Sequence, residues 1–136
     1  SKSKARIIML GGDVSVALGS IHGYFAERML QDIKIEVAFL GGAAIDEQFD
    51  LYSFSDTKIS YYNLILERSN IAHLLVDSTK FYRQSLYRVH NLNVYTSVIS
   101  DKQILDAEQV YLDENEINLI SLAHLTEKDI EDVNIK

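Results

Sequence analysis

Hydrophobic and polar positions fall into two kinds of pattern that alternate along the chain. Five short runs are nearly continuous in apolar or β-branched residues: Arg6–Leu10, Glu36–Leu40, Ile71–Val76, Val94–Ser100 and Ile117–Leu122. Such runs, lacking a polar alternation, predict strands of a parallel sheet covered on both faces. The stretches between them carry a period near 3.6 residues. Ile21, Phe25, Met29, Leu30 and Ile33 predict a helix over 21–33 with Ser20 as N-cap. Ile59, Tyr62, Ile65 and Leu66 predict a second over 57–69, with Asp56 as N-cap. Ser100 and Gln103 have the spacing of a capping box, opening a short acidic helix to about Ala107. Thr126 and Asp129 mark a further helix start in the tail. Strands alternating with helices imply an α/β fold with right-handed crossovers.

Composition narrows the possibilities. The 136 residues suggest one domain over 1–136, and 47% apolar content is enough for a real core. The net charge of −7 argues against this chain gripping a nucleic-acid backbone by itself. No cysteine is present, which excludes disulfides and thiolate metal sites. No apolar run approaches the roughly 20 residues that span a membrane. The apolar stretch near Ser1 is too short for a signal peptide, so a cytoplasmic location is expected. The sequence suggests neither a metal nor a cofactor.

The candidate chemistry lies at strand ends. Leu10-Gly11-Gly12 and Leu40-Gly41-Gly42 each close a predicted strand, where paired glycines allow a sharp turn or close approach of a ligand. Ligands of open α/β sheets sit beyond the carboxyl ends of strands. Neither pair forms a dinucleotide fingerprint or a phosphate-binding P-loop. Asp77, Ser78 and Lys80 follow another strand; Lys80 is a compact cation able to reach a phosphate. Taken alone, that stretch reads better as a turn with a solvated lysine. Asp46, Glu47 and Asp50 cluster beyond the second double glycine, and such loops are more often solvated than catalytic. The four histidines show no ligand spacing, and His73 reads as a core residue.

The order of these pieces is more telling than any one of them. From Leu10 to Asp101 the chain resembles the C-terminal sensor domain of the DeoR family of bacterial sugar-metabolism repressors. The matching features are Gly11-Gly12, then Gly23 with Ala26, then Ala38–Gly41 with Asp46, then Asp77–Phe81, then Ser100-Asp101. The resemblance implies a three-layer α/β/α fold with a mostly parallel sheet, related to ribose-5-phosphate isomerase. It implies a non-enzymatic domain that binds a phosphorylated sugar, oligomerises, and modulates operator binding by a separate N-terminal winged helix. On that match the effector-binding residues are Lys80, Asp77, Ser78, Gly41, Gly42, Asp46 and Gly12.

The chain also departs from the family pattern. Ala43 and Ala44 replace an aspartate and a glycine, Asp50-Leu51-Tyr52 stands for Gly-Leu-Thr, and Thr57-Lys58 replaces an acidic pair. The family's upstream phosphate loop and winged helix have no counterpart here, so the sheet is expected to be incomplete. Open strand edges invite pairing with another chain, which predicts a dimer or larger assembly. Two other functions compete. One is a sugar-phosphate isomerase or deaminase with Asp46 or Glu47 as base; the other is an assembly module without a ligand.

Overall fold

The computed structural model describes residues 4–125. The helix start predicted at Thr126 lies outside the described residues. An antiparallel hairpin of β1 (Asp13–Ser15) and β2 (Ser20–His22) leads into α1 (Tyr24–Gln31) and β3 (Ile35–Leu40). Next come β4 (Ala44–Ile45), β5 (Asp50–Ser53), α2 (Thr57–Arg68) and β6 (Ser69–Leu75). The chain continues through β7 (Tyr87–Asn91), β8 (Ser97–Ser100), α3 (Asp106–Glu114) and β9 (Leu119–Ser121). Strands β3, β6, β8 and β9 form a four-stranded sheet in that order, with every pairing parallel. The α/β architecture expected from the alternating pattern is therefore present.

The sheet buries one face. Paired positions Leu40, Leu74, Val98 and Leu119 form a row across all four strands. Leu74 and Val98 are fully buried, and burial of such a side chain contributes about 2 kcal/mol. Tyr62, Ile65 and Leu66 of α2 and Leu112 of α3 pack on this side. A second, antiparallel sheet of β4, β5 and β7 adds Leu51 and Val89 to the same core. Across the sheet, Val37, Phe39, Ile71, Leu75 and Ile120 are exposed, Phe39 by 66%. Continuous apolar runs predicted cover on both faces. Among the described residues only one face has it, so burial alternates along β3 and β6.

Other expectations also change. Residues 6–10 form no strand, and Ile7, Ile8 and Met9 are exposed. An apolar run becomes a strand only when a neighbour takes its backbone hydrogen bonds; β3 instead forms the sheet's edge. Ile21 and His22 belong to the hairpin, paired with Val14 and Asp13. The first helix therefore starts at Tyr24, with Glu27 N donating to Gly23 O at 3.1 Å rather than a Ser20 cap. Asp56 occupies the N-cap of α2 but makes no side-chain cap bond. The Ser100 hydroxyl accepts from Lys102 N within a turn, and no helix opens there. Helix α3 begins at Asp106, where Glu108 accepts from Leu105 N at 3.0 Å. The second sheet went unpredicted because β4 has two residues and β5 four, too few to display a period.

Candidate functional site

Three strand ends converge on the carboxyl edge of the parallel sheet. β3 runs into Gly41-Gly42, β6 into Asp77–Phe81, and β8 into Asp101-Lys102. Gly42 is small because it must be: a Cβ there would lie 2.6 Å from Leu51 Cδ1 and 3.1 Å from Val76 Cγ1. Gly41 has open space in front of it, and its carbonyl accepts from the Tyr62 hydroxyl at 2.9 Å. Gly12 lies elsewhere, where a Cβ would meet His22 O at 2.5 Å and Ala26 Cβ at 2.9 Å. Gly12 and Gly42 thus close packing contacts, whereas Gly41 leaves approachable backbone.

The segment after β6 is a well-bonded turn. Asp77 caps a single turn of 3-10 helix, Ser78–Lys80, accepting from Thr79 N at 2.9 Å and from the Thr79 hydroxyl. These bonds hold its carboxyl below the usual aspartate range. Asp101, after β8, accepts from Ser78 N at 2.6 Å and from the Ser78 hydroxyl at 3.4 Å. Lys80 lies 4.0 Å from Asp77, with 36% of its side chain exposed. Asp77 and Ser78 build the turn, as the turn reading expected, and Lys80 stands beside it in a long pair with Asp77.

Asp46 is almost fully buried. Its Oδ1 accepts from Gln48 N at 3.0 Å and Asp50 N at 2.9 Å, holding a tight turn in which Phe49 takes φ 57°. Such a left-handed conformation costs about 1–2 kcal/mol for a bulky residue, and Phe49 offsets it by packing against Phe81 and Tyr111. The Asp46 loop adjoins the Lys80 segment, since Arg83 N donates to Ile45 O at 2.9 Å. Asp46 also lines a cleft of about 310 Å³ with Glu47, Gln48, Tyr82 and Gln84, whose lining does not include Lys80. Asp77, Ser78 and Lys80 come together, Gly42 abuts them through Val76, Asp46 neighbours them, and Gly12 stands apart.

Several organising residues escaped the sequence reading. Lys102 is 6% exposed and bonds the Glu108 carboxylate at 2.8 and 3.0 Å and Gln103 O at 2.9 Å. Its ammonium lies 5.6 Å from the Phe81 ring centroid and 5.2 Å from that of Tyr82. Burial pushes its pKa below the usual lysine range. Buried His90 bridges the Tyr95 hydroxyl at 2.9 Å and Asn63 Oδ1 at 3.1 Å. Burial first, and the Arg88 charge second, lower its pKa to about 4. His73, expected in the core, is only half-buried on the uncovered face of the sheet, where it bonds the Ser97 hydroxyl at 2.6 Å and stacks on Phe39. Only contact with residues remote in sequence reveals these roles. Among the described residues no group of histidine and acidic side chains could hold a metal ion.

A larger cleft, about 430 Å³, opens between residues 8–10, the β1–β2 hairpin and the start of α2. Leu18 and Ile21 contribute apolar wall, Ser55, Thr57 and Lys58 a polar one, and Tyr61 and Tyr62 aromatic surface. Lys58 and Tyr62 also border the small gap behind Gly42 and Ala43, which links this cleft to the end of β3.

A family model described as the DeoR C-terminal sensor domain matches residues 1–102. The chain belongs to this family. The DeoR-type sensor is similar to an L-fucose operon activator of Haemophilus influenzae, 27% identical over 86% of the chain and 47% of that protein. It is 26% identical to the glycerol-3-phosphate regulon repressor of Escherichia coli K12, over 74% of the chain and 40% of that protein. A putative aga operon transcriptional repressor of Escherichia coli O157:H7 is 26% identical over 72% of the chain and 36% of its own length. The chain therefore spans less than half of each of these regulators. Among the described residues no helix is long and apolar enough to cross a membrane.

Proposed function

We propose that this chain is the effector-sensing and assembly part of a cytoplasmic transcriptional regulator, without enzymatic activity. It takes up a phosphorylated sugar and passes that event to a separate DNA-binding domain. The family match over residues 1–102 carries this reading. The position of Lys80, at a strand's carboxyl end in an otherwise self-satisfied turn, supports it as an anchor for the anion. The relatives' names concern fucose and glycerol-3-phosphate operons, which puts sugar-derived phosphates first among the effectors to try. Ligand at 100 times its Kd should stabilise the intact protein by about 2.7 kcal/mol. The absence of a thermal shift with any sugar phosphate would count decisively against sensing.

The competing enzymatic reading needs Asp46 or Glu47 as base. The Asp46 carboxylate is committed to two backbone amides, which favours a structural role for Asp46. The edge position of β3 and the exposed apolar face carrying Phe39 support self-association. Light scattering on the intact protein should return a dimer or larger species; a monomer at high concentration would sink that part.

A further inference from the structure

We propose that the uncovered face of the parallel sheet is the docking surface for a second copy of this chain, with Phe39 as its anchor. This rests on the self-association proposed above and names the surface that carries it. Burial alternates along β3 and β6, turning Val37, Phe39, Ile71, His73 and Leu75 away from the core. The register sets these side chains in rows. Val37 stands beside Ile71 and Phe39 beside His73, while the row of Leu75 continues through Ile99 to Ile120. Together the rows cross all four strands.

None of these residues is an acid, a lysine or an arginine, although such residues make up 24% of the chain. Depletion of charge around an exposed aromatic ring marks the core of an interface. Val37, Phe39, Ile71, Leu75 and Ile120 are about two-fifths to two-thirds exposed, which at roughly 150–200 Å² per free residue amounts to about 400 Å² of apolar surface. Each partner of a standard dimer buries about 800 Å², of which a little over half is non-polar. The face therefore supplies most of the apolar area that such a dimer needs, with the β3 edge on its rim.

The same features select the partner. A two-fold contact sets a patch on its own copy, so the patch must complement itself. An uncharged apolar sheet does so, whereas a charged surface on a chain of net charge −7 would meet its own repulsion. Two such sheets stack about 10 Å apart with their side chains interdigitated. The polar pair within the face is already answered, since His73 and the Ser97 hydroxyl bond each other at 2.6 Å. The His73 ring stacks on Phe39 with centroids 5.5 Å apart, which makes a two-ring platform for the facing copy.

Sedimentation equilibrium of the intact protein over a concentration series tests this. Phe39→Asp and Ile120→Lys each put a charge on the face, on β3 and β9 at opposite edges of the sheet. The wild type should associate, and each variant should weaken association tenfold or more, the equivalent of about 1.4 kcal/mol. Wild-type circular dichroism and a cooperative urea transition will show that both variants fold. Unchanged association in both overturns the proposal. Loss in only one variant places the contact at that variant's edge strand: self-association stands and the face falls. A monomeric wild type overturns both, and a large drop in the Phe39→Asp melting temperature would then assign the face to the rest of the intact chain.

Discussion

Two neighbouring strand ends use a lysine in opposite ways. After β6, Lys80 reaches Asp77 only at 4.0 Å and is partly exposed. After β8, Lys102 is enclosed by Glu108, Gln103 O and the rings of Phe81 and Tyr82. The segments also lean on one another: Asp101 holds Ser78, and Phe81 lies under Lys102. A lysine whose donors are all answered holds the fold together. Lys80, in a long and partly exposed pair with Asp77, contributes little to stability. The same residue type after two adjacent strands therefore differs in its structural weight through its surroundings alone.

Removing the enclosed lysine should break the contrast most severely. Lys102→Ala leaves Glu108 without its partner in a half-dry site and is expected to cost about 3 kcal/mol in urea denaturation. Acid should produce a loss of similar size that belongs to neither segment. His90 titrates near 6.5 when unfolded but at about 4 when folded, so the unfolded chain binds the extra proton. Stability is full above pH 6.5 and falls as the pH drops towards 4, by up to about 3 kcal/mol. That slope should survive in Lys102→Ala and flatten in His90→Gln; an unchanged slope in His90→Gln would refute the assignment.

Smaller effects sharpen the other side of the comparison. Asp46→Ala strands two backbone amides in the turn beside Phe49 and should cost about 2 kcal/mol. Asp77→Ala loses the cap of the short turn, about 1 kcal/mol by thermal melting. Lys80→Met should change stability by less than about 0.5 kcal/mol, as for any exposed ion pair. A large destabilisation in Lys80→Met would erase the distinction between the two lysines.

Much of this organisation was legible beforehand. Parallel-sheet strands appeared as apolar runs, although only one of their faces is covered among the described residues. The helix of residues 57–68 appeared through its period. The turn at Asp77 followed from an acid preceding two hydroxyl residues. What misled was equally physical. Residues 6–10 are as apolar as β3, but strand identity depends on a partner's hydrogen bonds, which no local pattern encodes. Ile21 has the right spacing for α1 and is claimed by a hairpin whose register is set across Gly19.

Sequence by itself determined the α/β class, the family, and the presence of an aspartate-capped turn with a lysine after a central strand. These follow from local propensity and from the order of short motifs, both written along the chain. Tertiary structure alone decided which face of the sheet is covered, and which lysine is enclosed and which is only partly covered. It also decided that Asp46 holds a turn, and that Lys58 borders a cleft with residues nearly forty positions earlier. Burial and pairing are properties of residues brought together from distant positions, and the energy of a charge depends on that company.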